Sequence, residues 1–328
     1  MLWASSLNVH AFAPNQSPER RISSTSLGSV ADLGKVSIES YEYDGWNLRY
    51  RYKAASPGFE KESPLLLVHP VGIGLSSWFW EPLLEAWHGP EIFAPNLIGC
   101  GVSEGGDAWN PDERGLSFPL GWVKGCEAVM KTAANREIIP PFLNMNKKKW
   151  TVVTQGGLAP VGVMLASRNV DSIGKLVMSA PPTWKAMTTP VPESELLRNY
   201  NFLRSPLLGK LAFNILESRK LIEFFSNQFL FSKPCDSLWL DNTEKELGEK
   251  SRPPVMAFNA GLCLHRTFEE ELRTISQPTL ILAGEDDKRQ RSEYTQFMTN
   301  CQVRRIPGLA VLPWESPGDF AKILMEFH

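Results

Sequence analysis

Four short runs constrain this chain more than any other feature: Pro64-Leu65-Leu66-Leu67-Val68, Trp150-Thr151-Val152-Val153, Lys175-Leu176-Val177-Met178 and Pro278-Thr279-Leu280-Ile281-Leu282. Each has the length of a strand. Each is dominated by apolar residues without the strict alternation of a strand that has one wet face, so it reads as a strand covered on both sides. Helical patterns lie between the runs, for example Trp122 to Ala134 and Pro160 to Ser167. Strands alternating with helices predict an α/β fold with a doubly wound, mostly parallel sheet, whose ligands sit at the carboxyl ends of the strands. Upstream, Val36 to Lys53 alternates apolar and polar residues around Asp44-Gly45, a hairpin signal with turn residues that accept positive φ.

One stretch breaks the alternation. Residues 183–276 contain no clear strand, whereas Leu207, Leu208, Leu211, Ile215, Leu221, Ile222, Phe225 and Phe229 keep an apolar helical face. This predicts a helical cap inserted into an α/β core that spans 36–182 and 277–328. The cap's apolar face is expected to pack over the carboxyl edge of the sheet. A helix lying on a membrane surface is the alternative, because Lys210, Arg219 and Lys220 are close by.

Residues 1–35 read as a targeting and linker tail. Ser5, Ser6, Ser17, Ser23, Ser24, Ser26 and Ser29 crowd it, Arg20 and Arg21 are present, and Glu19 is the one acid before Val30. That is the composition of an organelle transit peptide. Ala11-Phe12-Ala13-Pro14 resembles the cleavage motif of plastid precursors in algae with complex plastids. The expected location is therefore the plastid stroma.

The rest of the composition narrows the function classes. A formal net charge of -2 offers no basic footprint for nucleic acid, and Lys147-Lys148-Lys149 reads as a solvated loop. The five cysteines are scattered, with no C-x-x-C pair and no Cys/His spacing for a metal, so reduced thiols, no metal and no cofactor are expected. No apolar run reaches the roughly 18 residues that cross a bilayer.

Five segments then fall in a telling order. Leu65 to Gly72 resembles the strand and His-Gly loop that opens an α/β-hydrolase core. Ala94-Pro95-Asn96-Leu97-Ile98-Gly99-Cys100-Gly101-Val102-Ser103 resembles the family's Pro-Asp-Leu-x-Gly-x-Gly-x-Ser segment, with Asn96 for the usual Asp. Val152 to Ala159 stands where the nucleophile elbow belongs. Pro278 to Asp287 resembles the strand that carries the triad acid, and Ile306-Pro307-Gly308 with Pro313 to Pro317 resembles the histidine loop. The resemblance covers about Tyr41 to the C-terminus. It is to α/β-hydrolases of the AB hydrolase-1 type, and within them to cyanobacterial and plastid members with a His-Pro-x-Gly-x-Gly loop.

Such a hydrolase needs a Ser on a strained strand-to-helix turn, a His to take its proton and an acid to orient the His. Laying the elbow on Thr154-Gln155-Gly156-Gly157-Leu158 puts Gly156 at the nucleophile position, and no Ser, Cys or Asp lies between Val152 and Pro160. Thr154 reads as the last residue of the strand. No His lies between Ile306 and Pro317, where Leu309, Ala310 and Val311 stand instead. The resemblance gives the acid position to Asp287, with Asp286 as the alternative register. It places His69, Val71, Gly157 and Gln155 around an oxyanion hole made of backbone N–H groups, which Pro70 in place of the family glycine weakens. Trp78 and His265 are the remaining pocket candidates, His265 hanging from the cap. Two readings follow. One is a non-catalytic binding or scaffold protein with an apolar pocket for a small molecule, or a member of a plastid protein complex. The other is a hydrolase of an apolar ester or lipid-like substrate that uses Asp287 with His265 or His69.

N-terminal sequencing of the protein isolated from its native cell tests the tail. A mature chain starting beyond the Ala11–Pro14 motif is expected, and one still starting at Met1 contradicts the assignment.

Overall fold

The computed structural model describes residues 34–134, 136 and 148–328. The expected targeting segment with its Ala11–Pro14 motif lies outside them. Eight strands form one sheet: β1 (Val36–Tyr43), β2 (Trp46–Lys53), β3 (Leu65–Val68), β4 (Ile92–Pro95), β5 (Trp150–Gln155), β6 (Ile173–Ser179), β7 (Thr279–Gly284) and β8 (Cys301–Ile306). Their order is β1-β2-β4-β3-β5-β6-β7-β8. The β1–β2 and β2–β4 pairs are antiparallel and all the others parallel. The expected hairpin is β1–β2, turning at Asp44 and Gly45, both with positive φ.

The apolar runs become strands because they face two cores at once. Leu66, Val68, Val152, Leu176 and Ile281 enter one buried cluster, while their neighbours Leu65, Leu67, Val153, Val177 and Leu280 enter the other. Helices cover both faces: α1 (Glu81–Ala86), α2 (Leu120–Ala134) and α3 (Ala159–Arg168) in the first half, then α11 (Ser292–Phe297), α12 (Leu312–Glu315) and α13 (Pro317–Phe327) in the last. Strands β4 and β8 carry no such signature in the sequence. β4 is four residues long, and β8 is a half-exposed edge strand with two arginines.

Between β6 and β7 the regular structure of the described chain is helical, joined by short loops: α4 (Trp184–Thr188), α5 (Glu193–Leu203), α6 (Leu208–Leu216), α7 (Arg219–Phe229), α8 (Ser237–Lys245), α9 (Arg252–Asn259) and α10 (Glu269–Thr274). This is the cap. It is held to the core by an aromatic cluster in which Trp239 of α8 meets Trp78 at 5.3 Å and Trp314 of α12 at 5.2 Å, with Phe231 at 4.9 Å.

The cap's inward face is only partly the one expected: Ile222 turns inward, but most of the other residues of that face do not. Gly209 and Phe213 of α6 and Ile222 and Ser226 of α7 are buried, whereas Leu211 and Ile215 are 58% and 52% exposed. The reason is the width of the apolar arc of α6, about 200° with Lys210 and Asn214 on the remaining side, so periodicity does not select which part of it turns inward. Residues two apart on a helix lie about 200° apart, so burying Phe213 turns Leu211 to solvent.

Replacing each of this pair by Asp separates the two faces. Phe213→Asp forces a charge into the core and is expected to cost roughly 3 kcal/mol or more in urea unfolding, whereas Leu211→Asp stays within about 0.5 kcal/mol of wild type.

Candidate functional site

β5 delivers the chain into a sharp turn. Gln155 is the last strand residue, Gly156 follows with φ +59°, and α3 begins three residues later. A side chain at Gly156 would have to accept the left-handed backbone, but a Cβ there meets no atom within 4 Å. The turn therefore presents a bare backbone into open space. Thr154, the one hydroxyl nearby, lies inside β5 and not at its end. A Cβ at Gly162 of α3 would lie 2.5 Å from Thr154 Cγ2, so the threonine faces that helix, where it is fully buried. At Gly157 the side-chain space is taken from outside, because a Cβ there would collide with the ring of Phe258 from α9.

Gln155 turns toward the loop after β8. Its Nε2 donates to the Ala310 carbonyl at 2.6 Å, and the Ala310 and Val311 N–H groups donate to Leu230 O, just past α7, at 3.0 and 3.3 Å. The segment that resembles a histidine loop is thus tied to the strand-to-helix turn by a side-chain bond and to the cap by two backbone bonds. Ala310 and Val311 are buried.

Asp287 sits just past β7 with partners already in place. Arg289 donates to Oδ1 from its backbone N–H at 3.0 Å and from Nε at 2.9 Å, and Arg291 Nη1 lies 2.7 Å from Oδ2. Burial pushes this carboxyl up, but the Arg289 hydrogen bonds and the charges of both arginines outweigh it and leave it below the usual range. Asp286, the other register, is exposed.

The four described histidines lie elsewhere. His69 is fully buried. Its Nε2 accepts from Leu97 N–H at 3.1 Å and its Nδ1 lies 2.7 Å from the Pro70 carbonyl, a pattern that requires the Nδ1–H tautomer. Burial, partly opposed by the Pro70 bond, lowers its pKa to about 4. His265 is exposed and its Nδ1 lies 2.8 Å from Leu262 O within the cap. His328 lies 3.2 Å from Thr151, at the amino end of β5, and His88 is an exposed residue after α1. Among the described residues no histidine bonds Asp287. Trp78 is also displaced from its expected place: it is 3% exposed within the aromatic cluster, and its Nε1 donates to Gly74 O. It joins cap to core, packed against Trp239 and Trp314. Val71 is buried in the same loop.

Two open grooves stand near the cap. One of about 420 Å³ is lined by Arg198, Asn199, Phe202 and Leu203 of α5 and Asn259 of α9. The other, about 260 Å³, lies where the loops after β7 and β8 meet the segment after α7, beside Asp236, Glu285, Asp286 and Glu315.

Resemblance singles out Asp287 but not its partners. The arginines two and four residues on were visible as Asp287-Lys288-Arg289-Gln290-Arg291. Phe258 carried no signal, because only the fold brings α9 over β5.

In a comparison against family models, residues 65–323 match the Alpha/beta hydrolase family. The chain belongs to that family. A search of curated proteins found no match. Solved structures with a similar fold include a serine hydrolase involved in carbazole degradation (CarC enzyme), at 14% identity and TM-score 0.62, over 89% of this chain and 98% of that one. The haloalkane dehalogenase DatA from Agrobacterium tumefaciens C58 is similar at 18% identity and TM-score 0.62, over 89% and 97%. A membrane phospholipase A described as a bacterial virulence factor is similar at 18% identity and TM-score 0.60, over 90% and 86%. At these identities the likeness is one of fold.

The buried His69 has a consequence for pH dependence. Its folded pKa of about 4 lies below the unfolded value of 6.5, so between those values the unfolded chain binds more protons. The stability that neutral His69 contributes is complete above about pH 6.5 and is lost as pH falls toward 4, on the order of 3 kcal/mol in all. Urea unfolding across that range is expected to show this slope, and His69→Gln to flatten it.

Proposed function

We propose that this protein is a non-catalytic α/β-hydrolase, a plastid binding or scaffold protein that keeps the family's framework without its triad chemistry. One observation carries the reading: the tip of the strand-to-helix turn is Gly156, which offers hydrogen where an acyl-enzyme needs oxygen or sulfur. The surroundings support it. The buried loop segment Ala310-Val311 stands at the histidine position, the carboxylate of Asp287 is matched by two arginines, and the ring of Phe258 covers Gly157. A hydrolase with a displaced catalytic set would need a base beside Asp287, and the groups beside it are guanidinium cations that cannot take up a proton. Several relatives by fold act on small organic molecules, as the names carbazole-degradation hydrolase and haloalkane dehalogenase say. An apolar small molecule is the corresponding ligand here. The groove beside Phe202 and Leu203 is its proposed seat.

Purified protein is expected to resist labelling by a fluorophosphonate and to leave p-nitrophenyl butyrate at its buffer rate. Gly156→Ser alone is expected to stay inactive, since an unactivated hydroxyl is a poor nucleophile near neutral pH. Labelling of any serine in the wild-type protein, or turnover by the single variant, contradicts the reading.

A further inference from the structure

The end of α8 seats tightly on the core. A Cβ built at Gly74, in the loop after β3, would lie 2.4 Å from the Thr243 carbonyl oxygen, so the bare backbone of a glycine lets the helix approach. Three residues beyond Thr243, Glu246 turns its carboxyl into the same seam and is 4% exposed. Its Oε1 accepts from the Ser103 hydroxyl at 2.5 Å and its Oε2 from the Ser103 N–H at 3.4 Å, on the turn Val102–Glu104. Ser76 Oγ stands 3.5 Å from Oε1.

A buried carboxylate is ordinarily met by a cation, and the cation of this cluster is taken. Arg51 spends Nη1 on Ser77 and Glu104 and Nη2 on Glu81 and Glu104. On the cap side, Lys245 bonds Asn242, and Arg219 pairs with Asp241 and Glu244. Glu104 reaches the cluster from the turn that holds Ser103, and Glu81 from α1. An ionised Glu246 is therefore a third carboxylate around one guanidinium. The Cys100 thiol and His69 are buried nearby, and burial holds both neutral. A neutral Glu246 can donate to Ser103 Oγ and still accept from its N–H. Ser103 is exposed, which gives the proton a way to water.

We propose that Glu246 is a proton-controlled latch: protonated, it locks the end of α8 onto the core, and ionised, it loosens the cap there. The aromatic cluster around Trp239 holds the start of α8 in either state, so the far end is what moves. The latch is independent of whether the turn at Gly156 supports any chemistry. Burial is the largest influence on this carboxyl and raises its pKa from 4.5, with Glu104 adding to it; the Ser103 bonds and Arg51 pull the other way. The closed seam thus holds the proton more tightly than the released one. Closure is strongest in acid and weakens as pH rises from about 4.5 through the raised value.

Hydrogen exchange of the full chain, read by mass spectrometry on peptides spanning 237–251 and corrected for the intrinsic rate at each pH, tests this. Protection there is expected to fall by about fivefold or more between pH 5 and pH 8. Glu246→Gln is expected to keep its pH 5 protection at pH 8, because the amide fills the same seam without a charge. Wild-type protection that does not change with pH overturns the proposal. So does a fall of the same size in Glu246→Gln, which would place the titrating group elsewhere. Weaker protection in that variant than in wild type at pH 8 also overturns it, since the carboxylate would then be the better anchor.

Discussion

Arg291 carries a guanidinium into the interior with 2% of the residue exposed, and a charge placed there must be met. Asp287 meets it at 2.7 Å, while Nε and Nη2 donate to the Pro181 carbonyl at 3.0 and 2.7 Å. Tyr294 adds a bond from its hydroxyl to Pro182 O at 2.7 Å. One buried cation therefore fastens the loop after β6 to the loop after β7, at the edge where α/β folds place their ligands. The Gln155–Ala310 bond does the same between β5 and the loop after β8, and the Leu230 carbonyl extends the hold to the cap. In a working triad these loops present an acid and a base that trade a proton. Here they present polar groups already committed to one another.

A second polar network joins cap and core below the aromatic cluster. Arg51, 5% exposed, donates to Glu104 at 2.9 and 2.5 Å and to Glu81 at 2.9 Å. Asn96 donates through Nδ2 to Glu104 Oε2 at 2.8 Å and accepts from Ser77 N–H at 2.8 Å. This explains why Asn stands where the family usually has Asp: a second carboxylate would face Glu104 at hydrogen-bond distance, whereas the amide supplies a donor. Glu246, just after α8, accepts from the Ser103 hydroxyl at 2.5 Å, so a cap residue closes the same cluster. Burial pushes its carboxyl up, against the pull of the Ser103 bonds.

The parallel strands are legible in the sequence because burial on both faces leaves an unmistakable apolar run, as Leu65-Leu66-Leu67 does. The edge strand β8 is not, because half-exposed residues such as Arg304 and Arg305 carry no such imprint. The turn at Gly156 is legible because one residue type is missing from a segment that resembles a known motif. What surrounds it is not. That Phe258 lies over Gly157, that Trp78 belongs to the packing between cap and core, and that Leu211 faces outward all depend on contacts between elements distant in sequence. An apolar helix such as α6 has more than one stripe that could turn inward, and packing chooses between them.

We propose that Asp287, at the position where the family's acid is expected, serves the fold. Asp287→Asn tests it directly, since the change keeps the shape of the side chain and removes its charge. In an active site such a loss is often neutral or stabilising, because catalytic groups are held at a cost to stability. Here it strands the buried Arg291 cation. Equilibrium unfolding in urea is predicted to show a loss of about 3 kcal/mol, the scale set by breaking a buried pair from one side. A variant as stable as wild type, or more stable, would contradict the account.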